Sequence, residues 1–275
     1  MSDIDELFEN RSLSPAPKNE EITPSEAAPI AEERKSFPLA LRRRKFPPTS
    51  KKLYFPIIPS AGGQNCLPLA SIGLAPVSFF KTLPRDALRA PVNQVVQTSH
   101  ENVVNLQELY LSPHSVTLAY DCWGISLLEV CRVAKIFADD ESTVATICKE
   151  VLHGLKYLHE EVGIVHGSIS CGTVILTDTG RVKIADIGDS MISGRECSDR
   201  SQDYQAVCQI SASLLDLSSA TRPQSSLRLA AEDFARAPLG TSLGELLDHP
   251  FLRASVKTCT LQPLPILLKV LQHSR

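Results

Sequence analysis

No apolar run approaches eighteen residues, so a membrane-spanning helix is excluded, and Met1-Ser-Asp-Ile-Asp-Glu6 is too acidic to open a secretory leader. The eight cysteines, at 66, 122, 131, 148, 171, 197, 208 and 259, include no Cys-x-x-Cys pair and no metal-ligand spacing. Reduced, buried thiols in a reducing compartment are therefore expected. The net charge of −3 lacks the excess of one sign that marks a polyanion binder, and no specific nucleic-acid partner is expected. No Gly-x-Gly-x-x-Gly run is present, although Gly62-Gly63 stands early in the chain and reads best as a flexible linker.

Nine of the nineteen prolines fall within the first 59 residues, a stretch without any sustained apolar period. Residues 1–65 accordingly read as a disordered tail. Within it, residues 1–33 carry nine acidic and two basic side chains, whereas 34–52 carry eight basic and none acidic, the pattern of an interaction segment. Arg42-Arg43-Arg44-Lys45 is a candidate nuclear-import or anionic-surface patch, and Ser14-Pro15 and Thr23-Pro24 are candidate acceptors of proline-directed phosphate.

From about residue 66 the composition turns to Val, Leu and Ile at structured spacing. Val77-Ser-Phe-Phe-Lys81 and Val116-Thr-Leu-Ala-Tyr120 predict strands. Residues 140–159 place Val144, Ile147, Val151, Leu152, Leu155 and Leu158 at three- and four-residue intervals, predicting one long amphipathic helix. Val174-Ile-Leu176 and Val182-Lys-Ile184 predict a hairpin about Thr177-Asp-Thr-Gly-Arg181. Strands first and helices afterwards give an α+β architecture.

Five pieces carry a resemblance. Residues 164–188 set His166-Gly-Ser168 and Thr173 ahead of two strands and Asp186-Ile-Gly188. Around them stand Ser99-His-Glu-Asn-Val-Val-Asn-Leu106, Tyr157-Leu-His159, Gln202-Asp-Tyr-Gln-Ala-Val-Cys-Gln-Ile210 and Leu243-Gly-Glu-Leu-Leu-Asp-His-Pro-Phe-Leu252. In that order and spacing the chain resembles a eukaryotic Ser/Thr protein kinase domain in degenerate form. The resemblance implies a two-lobed protein-kinase-like fold, with a reduced β-rich small lobe at about 66–120, a mainly helical large lobe at about 121–255, and a C-terminal helix at about 260–273. It places Tyr120 as gatekeeper ahead of the lobe hinge at Asp121-Cys-Trp-Gly-Ile-Ser-Leu127.

The same resemblance marks what is missing. Ser168 stands at the catalytic Asp position and has no anionic form near neutral pH, a loss of about 10²–10⁴-fold in proton transfer. Ser170 replaces the phosphate-side Lys, and Thr173 replaces an Asn ligand of the second magnesium, so both are poorer groups for the task. The Glu that would pair with the strand Lys falls at Pro91, which also interrupts a helix. Lys81, Asp186 and, weakly, Thr173 remain as candidate nucleotide-binding residues, with Asp186 the one metal ligand kept. Phe79 either fills the slot where an adenine ring would pack or is ordinary core. Only sixteen residues separate Asp186 from Asp203, too few for a full activation segment.

Val95, Leu106, His166, Ile187 and Asp203 occupy positions that join kinase lobes, and His166 is expected to be structural. Packing retained while chemistry is lost predicts a pseudokinase that acts as a scaffold or allosteric regulator in phosphorylation signalling, with ATP and magnesium bound weakly or not at all. Protein partners, an active kinase among them, are expected, with no membrane partner and a cytoplasmic or nuclear location. The rival expectation is a weak ATP-dependent Ser/Thr kinase whose displaced base is Asp178, Asp189 or Glu196. A third is a nucleotide-independent helical adaptor without a stable small lobe.

Overall fold

A computed structural model describes residues 42–43, 54–60, 63–68, 78–122, 124–133, 135–194, 199–217, 225–257 and 261–263. The chain divides into two units, 1–33 and 34–275, and only the second contains described residues.

Six strands build the first sheet: β1 (Arg42–Arg43), β2 (Tyr54–Ser60), β3 (Gly63–Pro68), β4 (Ser78–Pro84), β5 (Leu106–Leu111) and β6 (Ser115–Tyr120), in the order β1-β5-β6-β4-β3-β2. The small lobe thus starts before residue 66, and this corrects the tail boundary. Tyr-Phe-Pro-Ile-Ile-Pro-Ser is an apolar strand interrupted by two prolines. It lies at the sheet edge, and its register against β3 shifts between Pro56 and Pro59, the setting in which a sheet accepts proline. Gly63 opens β3 opposite Ser60, so this glycine belongs to a strand rather than to a linker, while Gly62 lies outside the described residues. Arg42 and Arg43, half of the basic run, pair in parallel with Tyr110 and Leu111. The acidic segment, both Ser/Thr-Pro sites, Trp123 and Glu196 lie outside the described residues, as does nearly all of the helix expected over 260–273. Leu261 from that region is buried.

Between Pro84 and Leu106 the helical segments are two 3-10 turns, Arg85–Ala87 and Val92–Gln94, with Pro91 immediately before the second. No α-helix stands between β4 and β5, as a proline at that point dictates.

The large lobe begins with β7 (Ile125–Ser126) and α1 (Leu127–Val133), followed by α2 (Glu141–Lys156), which Asp140 caps by accepting from Thr143 N at 3.0 Å. Beyond Lys156 the helix widens into a π-turn over Tyr157–Val162. Widening rotates three consecutive side chains inward, and Tyr157, Leu158 and His159 are all buried. The hairpin strands β8 (Val174–Leu176) and β9 (Val182–Ile184) fall where the sequence places them, and β7 completes their sheet.

The remaining helices are α3 (Ile187–Ser193), α4 (Ser201–Leu214), α5 (Ser226–Ala235), α6 (Leu243–Leu247) and α7 (Pro250–Arg253). Ser225 caps α5, and Ser242 with Glu245 forms a capping box on α6. Arg228, buried inside α5, donates to the carbonyls of Leu215 and Asp216 and lies 3.8 Å from Glu141, tying three helices together. Nothing in its local sequence separates it from a surface arginine.

One hydrophobic core runs through both lobes and contains Val95, Leu106, Leu118, Val151, Leu155, Ile184, Ile187 and Phe251. The joint is also hydrogen-bonded: Ile184 N donates to Asn102 O and Val104 N donates to Ile184 O, both at 2.8 Å. Lys183, buried beside it, donates to Val103 O.

Candidate functional site

The lobes meet at three short segments: the end of β4, the loop His166–Thr173, and the turn from β9 into α3. Asp203 organises the loop from below. It is 1 % exposed and accepts from His166 N and Gly167 N, each at 2.8 Å, while its Oδ2 lies 2.8 Å from His159 Nε2. Burial alone would raise this carboxyl; the hydrogen bonds from His159, His166 and Gly167 outweigh it and hold Asp203 below the ordinary carboxylate range.

His166 is buried, and its Nε2 faces the carbonyl oxygen of Ala185 at 2.8 Å, so that nitrogen carries the proton. Burial pushes the imidazole below its usual value, with the neighbouring carboxylates opposing. The other nitrogen, Nδ1, then accepts from Ser168 Oγ at 3.3 Å. Ser168 itself is exposed. Ser170 is also exposed, and its Oγ accepts from Gly172 N. Thr173 turns its hydroxyl into the loop, where Oγ1 bonds to Ser168 O at 3.0 Å and to Ser170 N at 2.9 Å. That hydroxyl serves loop geometry.

Lys81 stands at the end of this cleft with its side chain 12 % exposed and its Nζ 2.7 Å from both Asp186 Oδ1 and Asp189 Oδ2. Burial would lower the ammonium, but hydrogen bonds and charge from the two carboxylates prevail and raise it above its ordinary range. Asp189 is raised by burial against the pull of Lys81, and its second oxygen is buried without a hydrogen-bond partner. With Pro91 at the expected glutamate position, a carboxylate from α3 has become the lysine's partner. Asp186 adopts φ 61°, a left-handed conformation uncommon for a non-glycine residue, and α3 ends at Gly194 with φ 60°. Between these two points α3 is fixed to the small lobe by Arg89 N and Ala90 N, which both donate to Ile192 O.

Phe79 and Tyr120 close the opposite side. Phe79 shares the strand face of Lys81, is 8 % exposed, and sets its ring 6.1 Å from that of Tyr120. Tyr120 is 1 % exposed, with no acceptor for its proton among the described residues, and burial pushes the phenol well up. A Cβ at Gly188 would lie 2.5 Å from the Tyr120 hydroxyl, so only glycine permits this approach. The cavity bounded by Phe79, Tyr120, Val104, Ala185 and Asp186 measures about 80 Å³. Ligand pockets typically span about 300–1,000 Å³. The lysine and aspartate that would meet a nucleotide's phosphates and metal are engaged with each other.

Of the three alternative bases, Asp189 belongs to the lysine pair, Asp178 is exposed in the β8–β9 turn, and Glu196 is outside the described residues. Among the described residues no group of His, Cys, Asp or Glu is arranged to hold a metal ion, and no helix is long and apolar enough to cross a membrane. Cys148 and Cys208 are buried, whereas Cys122, Cys131 and Cys171 are only partly so, which corrects the expectation of uniform burial. Burial pushes the Cys122 thiol up to about 12.

A small antiparallel-sheet lobe packed on a helical lobe, with an aspartate of α4 bonded to the His166 loop beneath the cleft, defines the protein-kinase fold. Sequence comparison agrees with that fold: the protein kinase domain family matches residues 84–209, and the curated relatives that match are Ser/Thr kinases by name. Serine/threonine-protein kinase dst1 of Dictyostelium discoideum is 34% identical over 104 residues, 38% of this chain and 14% of its own length. Serine/threonine-protein kinase Tao of Drosophila melanogaster is 37% identical over 99 residues, 35% of this chain and 9% of its own length. Serine/threonine-protein kinase 1 of Arabidopsis thaliana is 32% identical over 116 residues, 42% of this chain and 14% of its own length. The chain therefore spans about a seventh or less of these relatives. The family match begins at residue 84, beyond Phe79 and Lys81, whose placement rests on the pairing of β4 with β6.

Proposed function

We propose that this chain is a pseudokinase: a kinase-type domain impaired in phosphoryl transfer that works as a scaffold or allosteric regulator of a protein partner, an active Ser/Thr kinase being the class its relatives suggest. The observation that carries the reading is the Lys81–Asp186–Asp189 cluster beside an 80 Å³ cavity. Phosphoryl transfer depends on positioned phosphates, metal and nucleophile. Here Ser168 lacks a carboxylate, the Thr173 hydroxyl is engaged in its own loop, and the lysine is held by α3. The rigid core across both lobes supports a role as a fixed surface.

A second reading, a weak ATP-dependent Ser/Thr kinase, is favoured by the relatives' names and by the retention of Lys81 and Asp186 within bonding distance of each other. In that reading α3 moves, the lysine exchanges its aspartates for phosphate, and Asp189, which lines the same groove as Ser168, supplies the base. Thermal unfolding with and without ATP and magnesium separates the two. The pseudokinase reading expects no metal-dependent rise in Tm, and a rise of several degrees that needs both ligands favours the enzyme.

A further inference from the structure

Because no helix follows β4, space opens between the strip Leu83–Arg89, the His166 loop and α3. The resulting groove has a volume of about 530 Å³, within the usual ligand range and far larger than the nucleotide-side cavity. The two share no lining residue.

The chemistry of the groove is lopsided. Ser190 Oγ donates to His166 O at 2.7 Å, Ser193 Oγ donates to Ser190 O at 2.9 Å, and Ser168 Oγ gives its proton to His166 Nδ1. Each hydroxyl has one proton, so all three present only lone pairs to the groove. Asp189, on the same lining, shares Lys81 with Asp186, one cation between two carboxylates. The inner polar surface therefore mostly accepts hydrogen bonds, with the Gln202 amide as its side-chain donor, and leans negative; a phosphate would set its own oxygens against these lone pairs. Arg89 is different: it is exposed, and its guanidinium makes no hydrogen bond or ion pair among the described residues. Leu83, Ala87, Val165 and Ile192 supply apolar wall between them.

We propose that this groove binds a small hydroxy-carboxylic acid with an apolar body. Its hydroxyl donates to the serine oxygens, its body lies along the apolar wall, and its carboxylate pairs with Arg89, a geometry that guanidinium favours. The ligand's place is separate from the nucleotide-side cavity, with which the groove shares no lining residue.

The test titrates the full chain with 3-(4-hydroxyphenyl)propionate by ligand-observed NMR. Saturable binding with a Kd near or below about 1 mM is expected. Arg89→Ala, a surface change that leaves the fold intact, weakens it about fivefold or more by removing the charged pair. Ala87→Trp fills the groove and abolishes binding, and 3-phenylpropionate, which lacks the donor, binds several-fold more weakly. No saturable binding up to about 10 mM overturns the proposal, as does binding unaffected by Arg89→Ala. A Tm rise with ATP and magnesium that leaves the probe's affinity unchanged favours the enzyme over the pseudokinase reading and leaves this proposal standing.

Discussion

Asp203 receives two backbone N–H groups and faces an imidazole while almost wholly buried, so its removal strands three polar groups at once. Breaking a buried charged network of this kind costs about 3–5 kcal/mol. Asp203→Ala should lower the chemical-denaturation free energy by that amount, and a loss below about 1 kcal/mol would show that the loop is held elsewhere. Its folded pKa is depressed, so the stability it supplies is present above the ordinary value near 3.8 and is lost as pH falls through the lower folded value. His166 acts in a different window. Its folded pKa is also depressed, so the unfolded chain takes up the proton first, and stability falls as pH drops below about 6.5. His166→Asn should flatten the Tm-against-pH curve in that region. At Phe79 the account makes a binding prediction: Phe79→Ala enlarges the small cavity and is the variant in which fluorescent adenine-nucleotide binding first becomes measurable. If the enlarged cavity still takes none, the Lys81–Asp186 pair alone suffices to exclude the base and phosphates.

The element that decides the state of the cleft is α3, held at one end by a left-handed Asp186 and at the other by Gly194. A Cβ at Gly194 would sit 3.2 Å from Ala90 N, and the φ of 60° disfavours any other residue. Gly194→Ala should cost about 1–2 kcal/mol in denaturation, the usual penalty for a side chain in the left-handed region. The elements themselves were unevenly legible. Val174-Ile-Leu176 and Val182-Lys-Ile184 were readable because β-branched runs flank a short polar turn, and α2 because its apolar residues keep a helical period. Proline made β2 resemble a tail, since a two-residue interruption erases the strand pattern while a register shift at the sheet edge absorbs it. The pairing of Asp189 with Lys81 was unreadable in another way: an aspartate 108 positions away from its lysine carries no local signal. Sequence named Asp189 only as one of three spare carboxylates.

At the scale of the molecule, the joint between lobes is apolar and hydrogen-bonded throughout, and the residues that form it, Val95, Leu106, Ile187 and Asp203, were the ones the motif order pointed to. A shared core predicts one cooperative unfolding transition, with far-UV and near-UV circular dichroism coincident; two separated transitions would mean the lobes are only loosely coupled. Motif spacing could reveal the fold because packing positions recur at fixed intervals along the chain. It could not reveal the closure of the cleft or the groove beside it, both of which follow from a missing helix and the side chains that move into its place. The central claim is that this kinase-type domain no longer transfers phosphate. Incubating the purified full chain with γ-labelled ATP, magnesium and generic Ser/Thr acceptors tests it most directly: the account predicts no transfer above background, and turnover that Asp186→Ala abolishes would contradict it.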